Sequence, residues 1–378
     1  MASTFQILFN GTPAGDDFYT SLVSLEVEEN ADLPGAVQLD LPVDRTADGD
    51  LTLLGDGRLA PLANLAVVAT PEGKGTQCIF DGYVLAHKIH LQTGLTNSTL
   101  QVWGQDASWL MNLEEKVKEW IDVTDGAVAN AIFGTYGITP DDANTADDSP
   151  AHTESGHSLM QRASDIQFLR GLARRNGKLC RVACRDQAGQ RTGYFAKPKL
   201  DGDPVVTLTL TDPTNWNVSA LDFDWDVTRP TAVAARQALF NDDDPDGAGG
   251  DASDSGLALL DARGLAEFAG KPMTVLLTAP VDDAGELKAR AQALLREAGW
   301  FVRCEGETDV ARLQAVLRVG TVVAVEGVGN LHSGNYLVWT VRHTITAEAH
   351  KMKFVLKRNA VGPADSNGPG LSGLLGGL

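Results

Sequence analysis

Two stretches of the sequence resemble each other and decide the fold. The first is LAVVATPEGKGTQCIFDGYVLAHKIHL at residues 65–91, followed by TLQVWGQ at 99–105. The second is GTVVAVEGVGNLHSGNYLVWTVRHTIT at 320–346, followed by MKFVLKR at 352–358. A Val-Val-Ala triplet at 67–69 corresponds to one at 322–324, and three further matches share one constant spacing: Tyr83 with Tyr336, His90 with His343, and Val102 with Val355. The chain is therefore predicted to contain two copies of one antiparallel β-structure.

Periodicity assigns the remaining elements. Short β-rich runs separated by Gly, Pro, Asn and Asp fill the first hundred residues, and AVQLDLPV at 36–43 alternates apolar and polar residues as a half-buried strand does. Helical spacing appears at 125–137 and at 158–177, where Gly177 is placed to end the helix. DAGELKARAQALLREAG at 283–299 also carries an apolar face and predicts a third helix.

The order of these patterns divides the chain into units. They predict a β-rich α+β protein with two similar antiparallel barrels and mixed helical parts that follow or interrupt them. The predicted units are a first barrel at 1–106, a mixed α/β domain at 107–200, a second barrel at 201–241 and 300–360, an acidic loop with a helical insertion at 242–299, and a flexible Gly-rich tail at 361–378.

Composition and charge exclude several classes of function. The 378 residues are 43% hydrophobic and 21% charged, which is typical of a globular protein. Thirty-one basic residues against fifty acidic ones give a net charge of −19, and such a surface repels nucleic-acid phosphates and anionic lipid. We therefore expect no specific nucleic-acid binding and no role at a membrane surface.

Cysteine usage and the N-terminal sequence indicate folding in a reducing cytoplasm. Four cysteines in a chain of this length are too few for the disulfide framework of a secreted scaffold. The start, MASTFQILFN, lacks the basic and apolar regions of a signal peptide, and no stretch reaches the roughly 18 apolar residues of a spanning helix. No membrane anchor is expected.

Three pairs of metal-binding residue types lie close together in the sequence: His87 with His90, His152 with His157, and Cys180 with Cys184. On a strand the first pair would point to opposite faces, the second lies in a polar loop without a second ligand cluster, and the third lacks a paired Cys motif. The sequence also has no G-x-S-x-G and no H-E-x-x-H motif. We therefore assign no catalytic, cofactor-binding or metal-binding residue, and expect no cofactor and no enzymatic activity.

Loop and aromatic motifs favour structural roles as well. The acidic loop at 242–256 begins like a calcium-binding hand, but Ser253 stands where such a loop needs its final Glu, so a solvated loop is predicted and cation binding is left open. The Gly-containing stretches at 73–76 and 327–334 lack the spacing of phosphate-binding loops and are predicted to be hairpin turns. Four tryptophans fall within strand patterns and are predicted in barrel cores rather than on a sugar-binding platform: Trp103, Trp225, Trp300 and Trp339.

Five stretches together carry a family resemblance. They are FDGYVLAHKIHL with Phe80, Gly82 and Val84, LQVWGQDASWLMNL at 100–113, SDIQFLRGLARRNG at 164–177, LDFDWDVTRPTAVAAR at 221–236, and the run from Gly320 to Ala360. In this order and spacing, over most of residues 15–360, the chain resembles the phage late control D proteins and the hub part of VgrG-type proteins. It departs at Ile166, where the family's helix often carries an aromatic residue, and it lacks an OB-fold, a spike repeat and a lysozyme-type domain.

The resemblance implies a structural role. It implies two tube-protein-like barrels per chain and a homotrimer whose six barrels adapt a hexameric tail tube to a trimeric spike. Implied partners are the tail tube protein, a separate spike protein and other baseplate proteins, a tape-measure protein among the candidates. The implied location is a virion tail baseplate or injection-system particle assembled in the host cytoplasm. The alternatives are a tail-tip receptor or glycan-binding module and a hub with cell-wall hydrolase activity.

Overall fold

The computed structural model describes residues 4–94, 97–145, 149, 151–154, 158–210, 214–237, 248–279 and 284–363. Within these ranges no helix is long and apolar enough to cross a bilayer. Three sequence predictions fall at least partly outside the described residues: the acidic loop at 242–247, the tail from 364 onward, and His157.

The first part of the chain forms strands whose burial alternates, as the sequence pattern predicts. Leu25, Val27, Leu39 and Val102 point inward and have no exposed surface, while the residues between them are partly exposed. The elements are β1 (Thr4–Phe9), β2 (Thr12–Pro13), α1 (Asp16–Ser21), β3 (Ser24–Asn30), β4 (Ala36–Pro42), β5 (Asn64–Thr70), β6 (Gln77–His90) and β7 (Thr99–Asp106), with a short 3-10 helix at Gly57–Leu59.

A mixed unit with its own core follows. Phe133 of one helix and Leu169 of another pack with Phe195 of a strand, and all three are fully buried. The elements are β8 (Glu115–Trp120), α2 (Asp125–Thr135), β9 (Thr139–Pro140), β10 (Leu159–Ser164), α3 (Asp165–Arg175), β11 (Leu179–Cys184) and β12 (Arg191–Ala196), with 3-10 helices at Ala107–Asn112 and Asp142–Thr145.

The helix predicted at 158–177 is wrong in its first part. Residues 159–164 form β10, which pairs antiparallel with β8, and the helix begins only at Asp165. Leu159 and Gln161 are buried while Met160 is 40% exposed, which is the alternation of a strand. The apolar residues across this boundary have helical spacing only by coincidence. The conformation of residues 159–164 is decided by β8, a strand partner that lies outside this stretch of the sequence.

The remaining elements form a second set of long strands with helical insertions. In chain order they are β13 (Thr207–Thr209), β14 (Ala220–Trp225), β15 (Ala232–Gln237), β16 (Ala248–Gly249), β17 (Arg263–Gly264), α4 (Leu265–Ala269), β18 (Thr274–Leu277), α5 (Ala284–Ala298), β19 (Val302–Asp309), α6 (Val310–Leu313), β20 (Val322–Glu326), β21 (Gly334–Ile345), β22 (His350–Arg358) and β23 (Ala360–Val361). β15, which the sequence places in the second barrel, instead pairs with β18 and packs on α5 in a small separate core.

Thirteen strands join in one large sheet that contains the same strand order twice. The first half-sheet has the order β3-β4-β7-β6-β5-β1, and the second half-sheet has the order β14-β19-β22-β21-β20-β13. All neighbours pair antiparallel except β13 and β20, which run parallel. The halves are continuous because β3 pairs with the C-terminal part of β21. Among the described residues no strand pairing closes either half on itself, and one apolar core spans both.

Matching β-bulges give the residue equivalence between the two halves. In the ladder of β6 with β7 the register shifts at Leu85, and in the ladder of β21 with β22 it shifts at Trp339. Aligning these bulges places Lys88 at the position of Arg342 and Val102 at that of Phe354. The burial pattern agrees, since both Val102 and Phe354 lie in the core.

The equivalence predicted from the sequence is therefore wrong by one residue in these strands. It matches Val102 with Val355 and His90 with His343. Val355 is only half-buried where Val102 is buried, and His90 is exposed where His343 is fully buried. A shift of one residue along a strand moves a side chain to the opposite face, so these pairs cannot be structural counterparts. The repeat itself is confirmed by the shared strand order.

Candidate functional site

Three parts of the chain meet at a buried ion pair between Glu29 of β3 and Arg318, in the loop before β20. The Arg318 Nε donates to the Glu29 Oε1 at 2.7 Å, and its Nη2 donates to the carbonyl oxygen of Cys184 at 2.8 Å. Burial is the largest single influence and would raise the pKa of Glu29, but the Arg318 guanidinium, together with His343 and Arg181, outweighs it and holds that pKa below its usual value. This single side chain therefore ties the first half-sheet, the mixed unit and the second half-sheet together.

Two histidines lie beside this ion pair. The Nδ1 of His343 is 3.0 Å from the Nε2 of His350, and the Nε2 of His343 is 3.7 Å from the Oε1 of Glu29. Burial, together with the neighbouring His343, lowers the pKa of His350 to about 3. His350 is therefore neutral in the folded protein near pH 7.

Stability is expected to fall on acidification because of His350. Its pKa is about 3 in the folded chain and about 6.5 in the unfolded chain, so between these values the unfolded state binds more protons. Its contribution to stability is complete above pH 6.5 and decreases as the pH falls toward 3, with a slope approaching about 1.4 kcal/mol per pH unit. We expect His350→Gln to remove this part of the slope in urea unfolding measured from pH 7 to pH 4. The exposed His87→Gln serves as control, and equal slopes for both variants would contradict the prediction.

The cysteines are poorly suited to nucleophilic chemistry. All four are buried and free, and burial raises the pKa of Cys180 and of Cys304 to about 12. A reactive cysteine needs the opposite, a lowered pKa in a partly exposed and positively charged setting. In the part of the chain that the structure describes, no group of three or more His, Cys, Asp or Glu side chains is placed to hold a metal ion.

His152, singled out by its loop, takes part in an ion-pair network. Its Nε2 is 2.8 Å from the Oδ1 of Asp125, and the Arg175 Nη2 is 3.0 Å from the Oδ2 of the same carboxylate. Burial would raise the pKa of Asp125, but its hydrogen bond with His152 and the charge of Arg175 hold that pKa below its usual value. The network connects the start of α2 with the end of α3, so its role here is to hold the two helices together.

A groove lies between the mixed unit and the second half-sheet. It has a volume of about 620 Å³, and its lining includes the basic residues Arg181, Arg185, Lys197, Lys199 and Arg318. Several of these are already engaged: Arg318 pairs with Glu29, Arg185 pairs with Asp141 at 2.5 Å, and Arg181 lies over the Tyr194 ring. The basic charge that lines this groove is therefore largely taken up by contacts within the chain.

Open strand edges are the more informative surfaces. β14 is the terminal strand of the sheet order, and the last residues of β6 pair with β7 on one side only among the described strands. Apolar side chains on these edges face solvent: Ile89 is 39% exposed, Leu91 is 52% exposed and Trp225 is 48% exposed. Trp225 is thus at an edge and not in a core as the sequence predicts, whereas Trp300 is buried. Such edges are available for pairing with another chain.

These surfaces were not assigned from the sequence. The alternation of Lys88, Ile89, His90 and Leu91 is visible in it, but the same alternation describes an inner strand. Whether a strand lies at an edge depends on which partners the rest of the chain supplies.

The fold is shared with several solved structures. Solved structures with this fold include a tail protein from Neisseria meningitidis MC58, with 14% identity and a TM-score of 0.64 over 96% of this chain and 98% of that one. A second is the 43 kDa tail protein of prophage MuSo2 from Shewanella oneidensis, with 15% identity and a TM-score of 0.62 over 95% of this chain and all of that one. A third is the E. coli c3393 protein, a type VI secretion component, with 11% identity and a TM-score of 0.53 over 95% of this chain and 79% of that one. The fold is therefore that of phage tail proteins and related type VI secretion components.

The sequence places the chain in one family. Residues 1–347 match the family described as the Alg8 N-terminal domain, and the chain belongs to it. This match is not to a late control D family, so the resemblance seen in the sequence is supported at the level of the fold. No curated protein matches the chain.

Proposed function

We propose that the chain is a structural hub of a contractile-tail baseplate, similar in role to late control D proteins and VgrG hubs. The observation that carries the proposal is the repetition of one strand order in two half-sheets that lie side by side in a single sheet. Three copies would present six similar half-sheets, so a homotrimer could match a hexameric tail tube on one face and a trimeric spike on the other. The shared fold with tail proteins supports the same role.

The proposed partners follow from this position. The tail tube protein would contact the ring of half-sheets, and a separate spike protein would bind the opposite end, with other baseplate proteins around them. The particle would be a virion tail or an injection system. We propose no catalytic step, because the buried cysteines and the His152 network serve structural contacts.

A tail-tip glycan-binding module is the alternative, and the exposed Trp225 and Trp216 favour it because aromatic rings can bind sugars. It predicts sugar affinity that is lost in Trp225→Ala. A hub predicts instead that Trp225 becomes inaccessible on assembly, so that a quencher in solution reduces its fluorescence less than in the free chain. Clearing of peptidoglycan by the purified protein would favour the hydrolase alternative.

Stoichiometry tests the hub directly. We expect the oligomer in solution, or the chain's density in a map of the particle, to correspond to three times 40.1 kDa, located between tube and spike. Sixfold or single occupancy of this chain in the particle would contradict the proposal.

A further inference from the structure

The junction between the two half-sheets shows what a well-formed edge contact looks like in this fold. Residues 340–345 of β21 pair antiparallel with residues 25–30 of β3. On one face Arg342 lies directly opposite Glu28, and the Arg342 Nη2 is 2.7 Å from the Glu28 Oε2. On the other face Leu25 and Ile345 have no exposed surface. The junction thus combines an outer ion pair with an inner apolar contact.

β6 carries the counterpart of the β21 side of this junction. With the bulges aligned, Lys88 stands where Arg342 stands, Ile89 where His343 stands, and Leu91 where Ile345 stands. No described strand pairs with this edge of β6. The basic and apolar groups that are satisfied at the internal junction are therefore exposed here.

β14 carries the counterpart of the β3 side. It pairs with β19 as β3 pairs with β4, and this pairing places Asp224 at the position of Glu28 and Asp222 at that of Glu26. Phe223 then stands where the buried Val27 stands. The outer edge of β14 has no strand partner among the described residues.

We propose that β14 of one copy pairs antiparallel with the end of β6 of the next copy, in the register of the internal junction. Lys88 would then lie opposite Asp224, His90 opposite Asp222, and Ile89 opposite Phe223. The proposal rests on the hub function only for the number of copies that closes the ring. The sheet would continue from copy to copy, so the internal junction and the junction between copies would alternate around it.

Charge and apolar surface both select this pairing. The β6 edge carries Lys88 with two histidines, whereas the β14 edge carries Asp222 and Asp224. Pairing the β14 edge with its own copy would place aspartates opposite each other, which is unfavourable, and pairing the β6 edge with its own copy would leave Lys88 without an acidic partner. Unlike edges therefore meet, and a head-to-tail contact of this kind generates a ring when its rotation closes. The exposed Ile89, Leu91 and Trp225 would be covered in the process.

Charge reversal tests the contact. We expect Lys88→Glu and Asp224→Lys each to weaken self-association at least about tenfold, measured by sedimentation, because each places like charges at the centre of the contact. The double variant restores the attraction with its sign reversed and should recover most of the affinity. Lys74→Glu and Asp186→Lys are matched controls, since both residues are exposed and lie away from the two edges. Thermal unfolding of each variant establishes that it is folded.

A disulfide tests the register. Directly opposite strand residues have Cα atoms about 4.5–5.5 Å apart, which is within the range of a disulfide. A mixture of Lys88→Cys and Asp224→Cys chains should therefore form crosslinked dimers on oxidation, while Lys88→Cys with Asp222→Cys should form far fewer. A trimer that tolerates both charge reversals and does not crosslink would overturn this contact and leave the hub function standing. Crosslinking through these residues in an assembly that is not a trimer would retain the contact and overturn the hub function.

Discussion

Replacing Arg318 with Met is expected to lower the free energy of unfolding by about 3–5 kcal/mol, because it leaves the carboxylate of Glu29 buried without its partner. Glu29 is 8% exposed, so water cannot replace the lost guanidinium. With Arg318 gone, burial is left as the main influence, and the pKa of Glu29 is expected to rise. The variant also loses the hydrogen bond to the Cys184 carbonyl oxygen, which connects the mixed unit to the sheet. Urea unfolding followed by tryptophan fluorescence measures the change.

The matched control is Arg45→Met. Arg45 is exposed and donates to the carbonyl oxygen of Gly49 at 2.9 Å, so its replacement should cost no more than about 1 kcal/mol. Equal losses for the two variants would show that Arg318 does not join the three parts of the chain in the way its contacts indicate. A second measurement, Glu29→Gln with Arg318→Met, should be less destabilising than Arg318→Met alone because the buried negative charge is removed.

The second large effect is expected for Asp261→Ala, which should also cost about 3–5 kcal/mol. Asp261 forms an ion pair with Arg358, the largest side chain without exposed surface in the part of the chain described. Arg358 lies over the Tyr336 ring, with 5.0 Å between the guanidinium carbon and the ring centroid. Its Nη1 also donates to the carbonyl oxygen of His332 at 3.3 Å. Removing the carboxylate leaves the positive charge of Arg358 buried in the second half-sheet without its ion-pair partner.

Two further variants separate the charge effect from a loss of packing. Asp261→Ala combined with Arg358→Met removes both charges and keeps an extended apolar side chain, so it should recover a large part of the lost stability. Asp186→Ala, at an exposed aspartate, should be close to neutral. If the double variant is as unstable as Asp261→Ala, the unpaired charge is not the cause of the loss.

Assembly and stability should respond to different residues. The buried pairs at Arg318 and Arg358 hold the parts of one chain together, whereas Lys88 and Asp224 are exposed in the single chain. Variants of the first kind should lower stability in every state of association. Variants of the second kind should act chiefly on self-association, since the one ion pair of Asp224 within its own chain, with Arg303 at 3.7 Å, is exposed and contributes little to stability. This division follows from burial, because only a desolvated charge depends strongly on one partner.

The strand content and the internal repeat could be predicted from the sequence. Alternation in β3, β4 and β7 is a local property, since neighbouring residues on a strand face opposite sides wherever the strand lies. The same local information failed at 159–164, where a strand pairing with β8 overrides a helical spacing of apolar residues. It also did not show to which sheet β15 belongs: this segment forms a strand but pairs with β18 outside the large sheet.

Residue equivalence and the functional edges needed the tertiary structure. Both halves carry the bulge at the equivalent place, but the connection between the two strands differs by two residues: Lys88 pairs with Gln101 thirteen residues later, whereas Arg342 pairs with Lys353 eleven residues later. A single constant spacing therefore fell one residue away from the structural equivalence in each strand. Lys88 and Asp224 gain significance only because their counterparts Arg342 and Glu28 form an ion pair within the same chain.

The sequence by itself determined that this protein is a β-rich chain with an internal repeat and a strongly acidic surface, because periodicity and charge are set residue by residue. Only the tertiary structure decided which strands are inner and which are edges, and which residue of one half corresponds to which of the other. Strand pairing is a contact between distant segments, and its register is fixed by the partner and by bulges rather than by the strand's own sequence.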